Sequence, residues 1–398
     1  MLSGTQAMTW LSLFLSLLSL TQAIPVPNNT DHRDDVNNAF FRLALKLLND
    51  QPNQSALVSP FSVGMALSTV NVGAKGKTSE EITKAAFNGV SKPVVDSWFE
   101  EKMRALKYNM DSVTVASAAY VEKSIEILKP YEDALKSTYM TKVKKVDFIH
   151  NPTTQRLTIN DFVKSRTSGN IPELLGPTDV SSDSRFIVVN ALHVESRFDT
   201  KFSKEKTKKA DFHKEDKSSK KVDMMTGTHS GGYFENPDFA FAQIYFRASG
   251  LSLFLIVPKS GTLASLKEKF LGSSLNYSQA VSQQRLFPLL HITMPKIKQD
   301  VHLSLQKALT KLGVKEMFGP KADFSGISKD KLIVNDIIHQ AKIDLDEEGV
   351  TASAATALMM VGGAAMCGED CSRDIVADKP FIFGIAYWDA PLFVGQYY

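Results

Sequence analysis

The sequence predicts an α+β fold, with helices concentrated early in the chain and strands concentrated late. Helical periodicity marks the segments before about residue 90, whereas β-rich runs with few polar interruptions follow residue 185. No repeat, low-complexity tract or Pro/Gly-rich linker divides the chain, which favours one large domain. At 398 residues, the chain can bury a large core without covalent staples.

The composition excludes several classes of partner. Hydrophobic residues make up 43% of the chain and charged residues 22%, which is ordinary for a globular protein. The formal net charge is only +3 and provides no strong attraction to nucleic acid or to a membrane surface. We therefore predict neither of these partners, and we expect a monomer.

The amino-terminal segment resembles a secretory signal. The first thirty residues carry no charged side chain, and an apolar run over residues 10–20 ends at Thr21-Gln22-Ala23, a small-residue exit suited to signal peptidase. The run is too short to span a bilayer. We predict a signal peptide at residues 1–23, a mature domain at 24–398, and secretion. Three glycosylation sequons agree with this prediction, at Asn28, Asn53 and Asn276.

The early elements are predicted to be helices. Residues 35–48 place their apolar side chains on one helical face. Ser59 is a suitable N-cap and Pro60 fits the first helical position, so a second helix begins there and should end near Gly73. The pattern from Thr78 to Glu81 resembles a capping box and predicts the start of a third helix.

The later elements are predicted to be mostly strands. Runs over residues 185–190 and 251–257 have the composition of buried strands, and residues 291–295 form a shorter candidate that ends at a proline. Helical spacing returns over residues 303–312. Further strands are predicted over 337–345, 381–388 and 392–397.

An unusual arm lies between these last strands. From Val350 to Met366 the chain carries no charge and no proline, and it is rich in alanine, serine, threonine and glycine. A loop is normally short and polar, whereas this segment can enter a crowded sheet without bringing a charge into the core. It is therefore compatible with two states, loop and strand. The two cysteines, Cys367 and Cys371, follow it and are either bridged or free thiols.

No catalytic or metal-binding constellation is present in the sequence. Residues 71–78 nearly match a phosphate-binding loop, but asparagine replaces the first glycine and a helix precedes the segment, so a helix-to-helix turn is the better interpretation. No G-x-S-x-G or H-E-x-x-H motif occurs, and the eight histidines show no metal-ligand spacing. We predict neither an enzyme nor a bound cofactor.

A basic segment over residues 201–221 has two interpretations. It forms either a solvated face or a site for a sulfated glycosaminoglycan. The candidate ligands of the polysaccharide are the lysines Lys204, Lys206, Lys208, Lys209, Lys220 and Lys221.

Ten short motifs together resemble the serpin family over nearly all of the mature chain. They include Ser59-Pro60-Phe61-Ser62, Val189-Asn190-Ala191, Ile338-His339-Gln340-Ala341, Asp346-Glu347-Glu348-Gly349 and Pro391-Leu392-Phe393-Val394-Gly395, all in the family's order. The resemblance implies three β-sheets, eight or nine helices and an exposed reactive-centre loop, here about residues 347–378. It also implies an inhibitor that a serine protease cleaves, after which the loop inserts into the central sheet and traps the protease as an acyl-enzyme.

The resemblance also assigns site residues. The hinge corresponds to Glu347, Glu348, Gly349, Val350, Thr351, Ala352, Ser353, Ala354 and Ala355, and a polar cluster beneath the central strands, the shutter, corresponds to Ser59, Ser62, Asn190 and His339. Val350 and Thr351 depart from the threonine or serine and the glutamate common in inhibitors, but neither change adds a charge or a proline. Phe162 and Phe198 replace tryptophans common in the family.

Counting along the arm places the reactive bond between Gly363 and Ala364. Small residues there suit an elastase-like or subtilisin-like protease, whereas Met360 or Met366 would suit a chymotrypsin-like enzyme and Arg373 a trypsin-like one. A bridge between Cys367 and Cys371 would hinder insertion of that region, which favours cleavage before Cys367. The alternative to inhibition is a non-inhibitory serpin that acts as a carrier, chaperone or storage protein.

Overall fold

The computed structural model describes residues 30–107, 112–350 and 371–398, and the following account concerns these residues. Within them the chain forms nine α-helices, sixteen strands and two short 3₁₀ helices. The α-helices are α1 (Thr30–Leu48), α2 (Pro60–Asn71), α3 (Gly76–Ala86), α4 (Lys92–Leu106), α5 (Lys129–Thr138), α6 (Pro152–Arg166), α7 (Leu263–Leu271), α8 (Tyr277–Gln283) and α9 (Gln306–Lys311). The 3₁₀ helices are Lys204–Lys206 and Glu316–Phe318.

The strands alternate with helices early and follow one another later in the chain. The first eight are β1 (Ala56–Val58), β2 (Val113–Glu122), β3 (Lys142–Val146), β4 (Phe186–Val194), β5 (Ser196–Arg197), β6 (Lys208–His213), β7 (Ser219–Glu235) and β8 (Phe239–Tyr245). The others are β9 (Leu251–Pro258), β10 (Arg285–Pro295), β11 (Ile297–Ser304), β12 (Ile338–Leu345), β13 (Gly349–Val350), β14 (Ser372–Val376), β15 (Phe381–Tyr387) and β16 (Ala390–Tyr397).

These strands form three hydrogen-bonded groups. Nine of them make one sheet, in the order β1-β16-β15-β9-β8-β7-β10-β14 with β6 paired to β7. A second group has the order β11-β12-β13-β5 and a third the order β3-β2-β4. Because β4 leads directly into β5, the two smaller groups lie next to each other, and β12 packs beside β4. This arrangement of three sheets confirms the predicted α+β fold.

Aromatic and aliphatic side chains fill the core between the sheets and helices. Phe40 of α1 lies edge-on to Trp98 of α4 at 4.9 Å between ring centres, and Phe61 of α2 packs on Phe99 of α4 at 5.4 Å. A second, smaller core lies beneath α6, where Ile159 and its neighbours cover the outer face of β2 and β4. Each of these strands is therefore buried on both faces, which explains their continuous apolar sequences.

Local signals predicted some boundaries correctly and others wrongly. Ser59 caps α2 and Pro60 occupies its first turn, as predicted. The predicted capping box is wrong, because α3 begins at Gly76 and the hydroxyl of Thr78 instead accepts a hydrogen bond from the backbone N–H of Asp323 at 3.0 Å. The helix predicted over 303–312 is shorter, since residues 303 and 304 belong to β11.

Two short strands lie within the predicted reactive-centre loop. Residues 349–350 form β13, and residues 372–376 form β14, which pairs in parallel with β10. The predicted loop, about residues 347–378, therefore includes both strands, and residues 351–370 between them lie outside the described residues. In the described part of the chain, no helix is long and apolar enough to cross a membrane.

Candidate functional site

The central feature of the site is an incomplete ladder between β4 and β12. β4 pairs with β2 on one side, and β12 pairs with β11 on one side, both in antiparallel register. Among the described residues, the facing edges of β4 and β12 are joined only at one end, where β13 lies between β12 and β5. The backbone donors and acceptors of two central strands therefore face each other without a common partner strand.

A tight reversal at residues 346–349 directs the chain into this space. The backbone N–H of Asp346 donates to the carbonyl of Gly349 at 3.0 Å, and the carboxylate of Asp346 accepts from the N–H of Glu348 at 2.8 Å. Gly349 has φ +148°, and a Cβ atom there would lie 2.2 Å from the carbonyl oxygen of Ser196. Only glycine fits this position, because both its backbone angle and the close strand exclude a side chain.

Glu347 is buried at the start of the reversal. Its carboxylate pairs with the ammonium of Lys296 at 2.8 Å and accepts a hydrogen bond from the hydroxyl of Thr207 at 2.6 Å. Burial alone would raise the pKa of Glu347, but the hydrogen bonds from Lys296 and Thr207 outweigh it and leave the pKa below its ordinary value. Its backbone carbonyl also accepts from the N–H of Phe202 at 3.1 Å. Glu347 therefore ties the hinge to three separate segments.

Glu348 provides a second, more exposed connection. Its carboxylate pairs with the ammonium groups of Lys201 and Lys204, and the hydrogen bond from Lys201 is the main reason why the pKa of Glu348 is lowered. Its backbone carbonyl accepts from the N–H of Phe198 at 2.9 Å. Both acidic residues of the hinge are thus anchored to the segment 198–207, and Glu347 is anchored in addition to Lys296, directly before β11.

A charge-reversal variant tests the role of the buried pair. Replacement Glu347→Lys places an ammonium against Lys296 in a position where the native side chain is only 3% exposed. We expect the free energy of unfolding, measured by urea denaturation, to fall by about 2–4 kcal/mol. The swapped pair Glu347→Lys/Lys296→Glu is the matched control and should recover most of this loss. Equal destabilisation by the single and the swapped variants would contradict the assigned pairing.

Aromatic rings pack behind the hinge. Phe198 stacks on Phe246 with 4.8 Å between ring centres, and Phe202 lies 4.3 Å from the ring of His229. His229 is buried, and burial lowers its pKa to about 4, so the imidazole is neutral at physiological pH. Phe198, predicted as a departure from tryptophan, is fully buried and offers no indole N–H to this group.

The predicted shutter residues come together at the other end of the incomplete ladder. The backbone N–H of Ser59 donates to Nε2 of His339 at 3.1 Å, and the Ser59 hydroxyl donates to the carbonyl of Leu392 at 2.8 Å. The same hydroxyl accepts from the N–H of Ser62 at 3.1 Å. Asn190 is buried on β4, which packs on α2, but both polar atoms of its side chain lack a hydrogen-bond partner among the described residues.

His339 is neutral in the folded protein. Complete burial, with a smaller contribution from the nearby His302, lowers the pKa of His339 to about 4. The neutral ring suits the observed bond, because Nε2 must present a lone pair to accept the N–H of Ser59. The side chain of Asn190 and the hydroxyl of Ser62 are buried and lack a hydrogen-bond partner among the described residues, so both keep hydrogen-bonding capacity.

Acid should destabilise the protein through His229 and His339. Their folded pKa values of about 4 lie below the ordinary 6.5, so the unfolded chain binds more protons between these values. The free energy of unfolding should therefore fall as the pH drops from 6.5 to 4, by at most about 3 kcal/mol per histidine. Urea denaturation across this range, compared with a His339→Gln variant, measures it. The variant should lose about half of the pH dependence above pH 5; an unchanged slope would contradict the assignment.

Other predicted site residues lie elsewhere or outside the described part of the chain. Residues 351–370, which include Gly363, Ala364 and Cys367, are outside the described residues, as is Asn28. Arg373 lies within β14 opposite Leu290, and Cys371 before it forms no disulfide with a described residue. Asn53 is exposed, and the side-chain oxygen of Asn276 caps α8 by accepting from the N–H of Gln279.

The basic segment is largely balanced by nearby acceptors. Lys209 pairs with Asp223 at 3.0 Å and Lys221 with Asp211 at 2.9 Å, while Lys204 pairs with Glu348. Lys220 donates to the backbone carbonyl of Tyr398. These contacts agree with a solvated face. Binding of a sulfated glycosaminoglycan stays a prediction, and we expect retention on heparin resin only at low salt.

Three functional contacts escaped the sequence analysis. Lys296, Thr207 and the carbonyl of Leu392 bind the hinge and the shutter, yet each lies far along the chain from its partner. A lysine after Met294-Pro295 gives no signal of an ion pair with a glutamate fifty residues later. Only the fold brings these groups together.

Comparison with known proteins agrees with this geometry. A family model described as "Serpin (serine protease inhibitor)" matches residues 35–398. The leukocyte elastase inhibitor of Bos taurus is 31% identical over 366 residues, which cover 89% of this chain and 95% of that protein. Among solved structures, Serpin48 of the insect Tenebrio molitor matches with a TM-score of 0.77 and 26% identity, covering 93% of this chain and 98% of that chain.

A more distant likeness concerns the fold alone. The structure of thyroxine-binding globulin in complex with thyroxine matches with a TM-score of 0.74 at 19% identity and covers 92% of this chain and 98% of that chain. The family model spans nearly all of the sequence, from α1 through β16. Together with the three sheets and the hinge geometry, this match shows that the chain belongs to the serpin family.

Proposed function

We propose that this protein is a secreted inhibitor of serine proteases that acts as a suicide substrate. One observation carries the proposal: β13 lies between β12 and β5, and among the described residues no further strand lies between β12 and β4. A strand that continued from Val350 would complete this ladder. In the proposed mechanism, the protease cleaves the loop, and the freed segment inserts before the acyl-enzyme is hydrolysed.

The observed register defines where each residue would lie after insertion. Val350 pairs with Leu345 on one side and with Ser196 on the other, both antiparallel. Each step forward along the inserting segment is therefore one step back along β12 and β4. On this register Ala354 would lie opposite Ala341 and Leu192, both of which are buried.

The composition of the segment fits this register. Alternate residues of an inserted strand face the core, and they would be Val350, Ala352, Ala354 and Thr356. Their side chains are small or apolar, apart from the hydroxyl of Thr356. That hydroxyl would fall in the row of Asn190 and His339, where the amide of Asn190 has unused hydrogen-bonding capacity. Insertion would thus bring the hydroxyl of Thr356 close to the side-chain amide of Asn190, which lacks a hydrogen-bond partner among the described residues.

The free energy that insertion would release is comparable with the stability of a folded domain. A new central strand of roughly fifteen residues gains on the order of 10 kcal/mol at about 1 kcal/mol for each ladder hydrogen bond. This is comparable with the net stability of a whole domain. The residues from Val350 to Gly363 would span roughly 46 Å as a strand at ~3.3 Å per residue. A protease attached at the end of the strand would be carried a similar distance along the body of the inhibitor.

The proposed reactive bond is Gly363–Ala364, with Met360 and Met366 as neighbouring alternatives. The small residues favour an elastase-like or subtilisin-like target, and the methionines would favour a chymotrypsin-like one. The name of the bovine relative, a leukocyte elastase inhibitor, supports the first class. Arg373 is disfavoured, because it lies within β14, where it pairs with β10.

A panel of serine proteases tests the inhibitory function directly. Each protease is mixed with the purified inhibitor, and the products are separated on a denaturing gel after boiling. We expect an adduct whose mass equals the protease plus the clipped inhibitor, and mass spectrometry should identify a carboxy-terminal peptide that begins at Ala364. Cleavage without an adduct by every protease in the panel would refute inhibition, and a peptide that begins after Arg373 would refute the reactive bond.

Secretion rests on the amino-terminal segment and the sequons. Expression of the full chain in cultured animal cells should yield a secreted protein that begins after Ala23 and that loses mass on treatment with an N-glycosidase. Retention of the protein inside the cells with residues 1–23 intact would contradict this part of the proposal.

A second candidate function is carriage of a small molecule, favoured by a cavity between α1, α8 and the turn after β15. The cavity has a volume of about 600 Å³, within the range of ligand sites. Tyr245 and Trp388 give it aromatic walls, and Arg33 and Gln284 give it polar groups. A carrier would be cleaved by proteases without forming an adduct and would bind its ligand equally well before and after the loop is cut.

A further inference from the structure

A second cavity lies far from the hinge, between α4, β2, β3 and α6. Its volume is about 360 Å³, which is sufficient for a small organic ligand. It opens where β2 loses its neighbour, because β3 pairs with β2 only from Ala118 to Glu122. Among the described residues, the edge of β2 from Val113 to Ser117 has no strand on this side, although it pairs with β4 on the other.

The floor of this cavity is apolar. Met103 and Leu106 contribute from α4, and Val113 and Val115 contribute from β2. Met140 lies at the mouth with 41% of its surface exposed and with a left-handed backbone, φ +50°. An exposed methionine in an unusual backbone conformation is an adaptable apolar contact surface. The floor and the mouth together suit an alkyl chain.

The rim of the cavity is cationic. Four basic side chains line it: Lys107, Lys142, Lys144 and Arg166. None of them has an ion pair with any described residue, and no acidic side chain is found among the described lining residues. Many other lysines and arginines of the described chain have a carboxylate partner. The positive charge at this rim is therefore unbalanced by the described residues.

Lys144 is the best placed of these cations. Its ammonium lies 3.9 Å from the ring centre of Phe162 and 3.3 Å from the hydroxyl of Tyr120. Burial, and then repulsion from Arg166 and Lys142, lower the pKa of Lys144, as expected for a cation that lacks a counter-ion. Phe162, one of the two predicted departures from tryptophan, thus supports a cation at the wall of the cavity.

We propose that this cavity binds an amphiphilic organic anion of the fatty-acid class. The carboxylate would lie between Lys144 and Arg166, and the alkyl chain would cover the floor formed by α4 and β2. An inorganic anion or a sulfated sugar would satisfy the cations but would leave the apolar floor exposed. A neutral lipid would satisfy only the floor. This inference is independent of protease inhibition.

Calorimetric titration with dodecanoate, below its micelle concentration, tests the proposal. Dodecanol and acetate are the matched probes, because dodecanol keeps the alkyl chain without the carboxylate and acetate keeps the carboxylate without the alkyl chain. We expect saturable binding of dodecanoate and at least tenfold weaker binding of either probe. Absence of saturable binding by dodecanoate, or equal binding of dodecanoate and dodecanol, would overturn the proposal.

Two variants locate the site. Lys144→Met/Arg166→Gln keeps the packing on Phe162 and should weaken dodecanoate binding about tenfold, with binding of dodecanol unchanged. Lys329→Gln/Lys331→Gln removes two exposed charges elsewhere and should change neither. Val115→Trp fills the floor and should abolish binding of both probes. Unaltered dodecanoate binding by the Lys144→Met/Arg166→Gln protein, with an unchanged melting temperature, would also overturn the assignment.

Discussion

Cleavage of the chain between Gly363 and Ala364 is expected to raise the melting temperature by at least about 10 °C. The reason is that, among the described residues, no strand pairs with the facing edges of β4 and β12 beyond β13, and the freed segment would pair with both. A gain on the order of 10 kcal/mol corresponds to roughly this shift, given the large entropy of unfolding of a chain of this length. Differential scanning calorimetry of the intact and the clipped protein measures it.

The control for this experiment is a clipped protein that cannot insert its loop. The Ala354→Glu protein serves this purpose. A protease should cleave its loop as readily as the native loop, but the segment should not insert, so the melting temperature should stay nearly unchanged. If the clipped native protein melted no higher than the intact one, insertion of the loop into the sheet would not stabilise the protein. The mechanism would then fail, although membership of the serpin family would stand.

Replacement Ala354→Glu should convert the inhibitor into a substrate. On the register set by β13, residue 354 would face the core between Ala341 and Leu192, which are 0% and 1% exposed. An unpaired carboxylate buried there would cost several kcal/mol, so insertion would slow and the acyl-enzyme would hydrolyse first. We expect the fraction of protease captured as an adduct to fall at least tenfold.

The neighbouring variant Ser353→Glu is the matched control. Residue 353 would face the other side of the sheet, opposite Lys342 and His193, where the partly exposed ammonium of Lys342 can pair with a carboxylate. The adduct fraction should therefore stay close to that of the native protein. Both variants carry the same new charge in the same segment, so gel quantification of adducts separates burial from a general effect of charge. Equal loss in both variants would contradict the register.

The sequence predicted the elements that local chemistry controls. Ser59 and Pro60 determine where α2 begins, because capping and the missing N–H act within one turn. Gly349 was predicted as a hinge residue, and the structure adds the reason why no other residue fits there, the close carbonyl of Ser196. The fold class followed from periodicity, and the motifs that resemble the family identified the shutter and the hinge.

Long-range contacts could not be predicted from the sequence. Thr78 has the pattern of a helix cap, but its hydroxyl accepts a hydrogen bond from the backbone N–H of Asp323. Tertiary structure therefore overrides the local signal. The pairing of Glu347 with Lys296 likewise depends on how β11 lies beside β12. The shutter residues were predicted as one cluster, yet Asn190 makes no side-chain hydrogen bond with the other members.

The facing edges of β4 and β12 also bear on how copies of this protein behave when crowded. Among the described residues these edges are not paired with each other over most of their length, and each molecule carries a segment whose composition suits a strand between them. If the loop inserts as proposed, a loop from a neighbouring copy would compete with the molecule's own, and because such head-to-tail donation does not close on itself, it would build open chains. Warming at rising protein concentration, followed by size-exclusion chromatography, would show how strongly self-association competes with the intramolecular route.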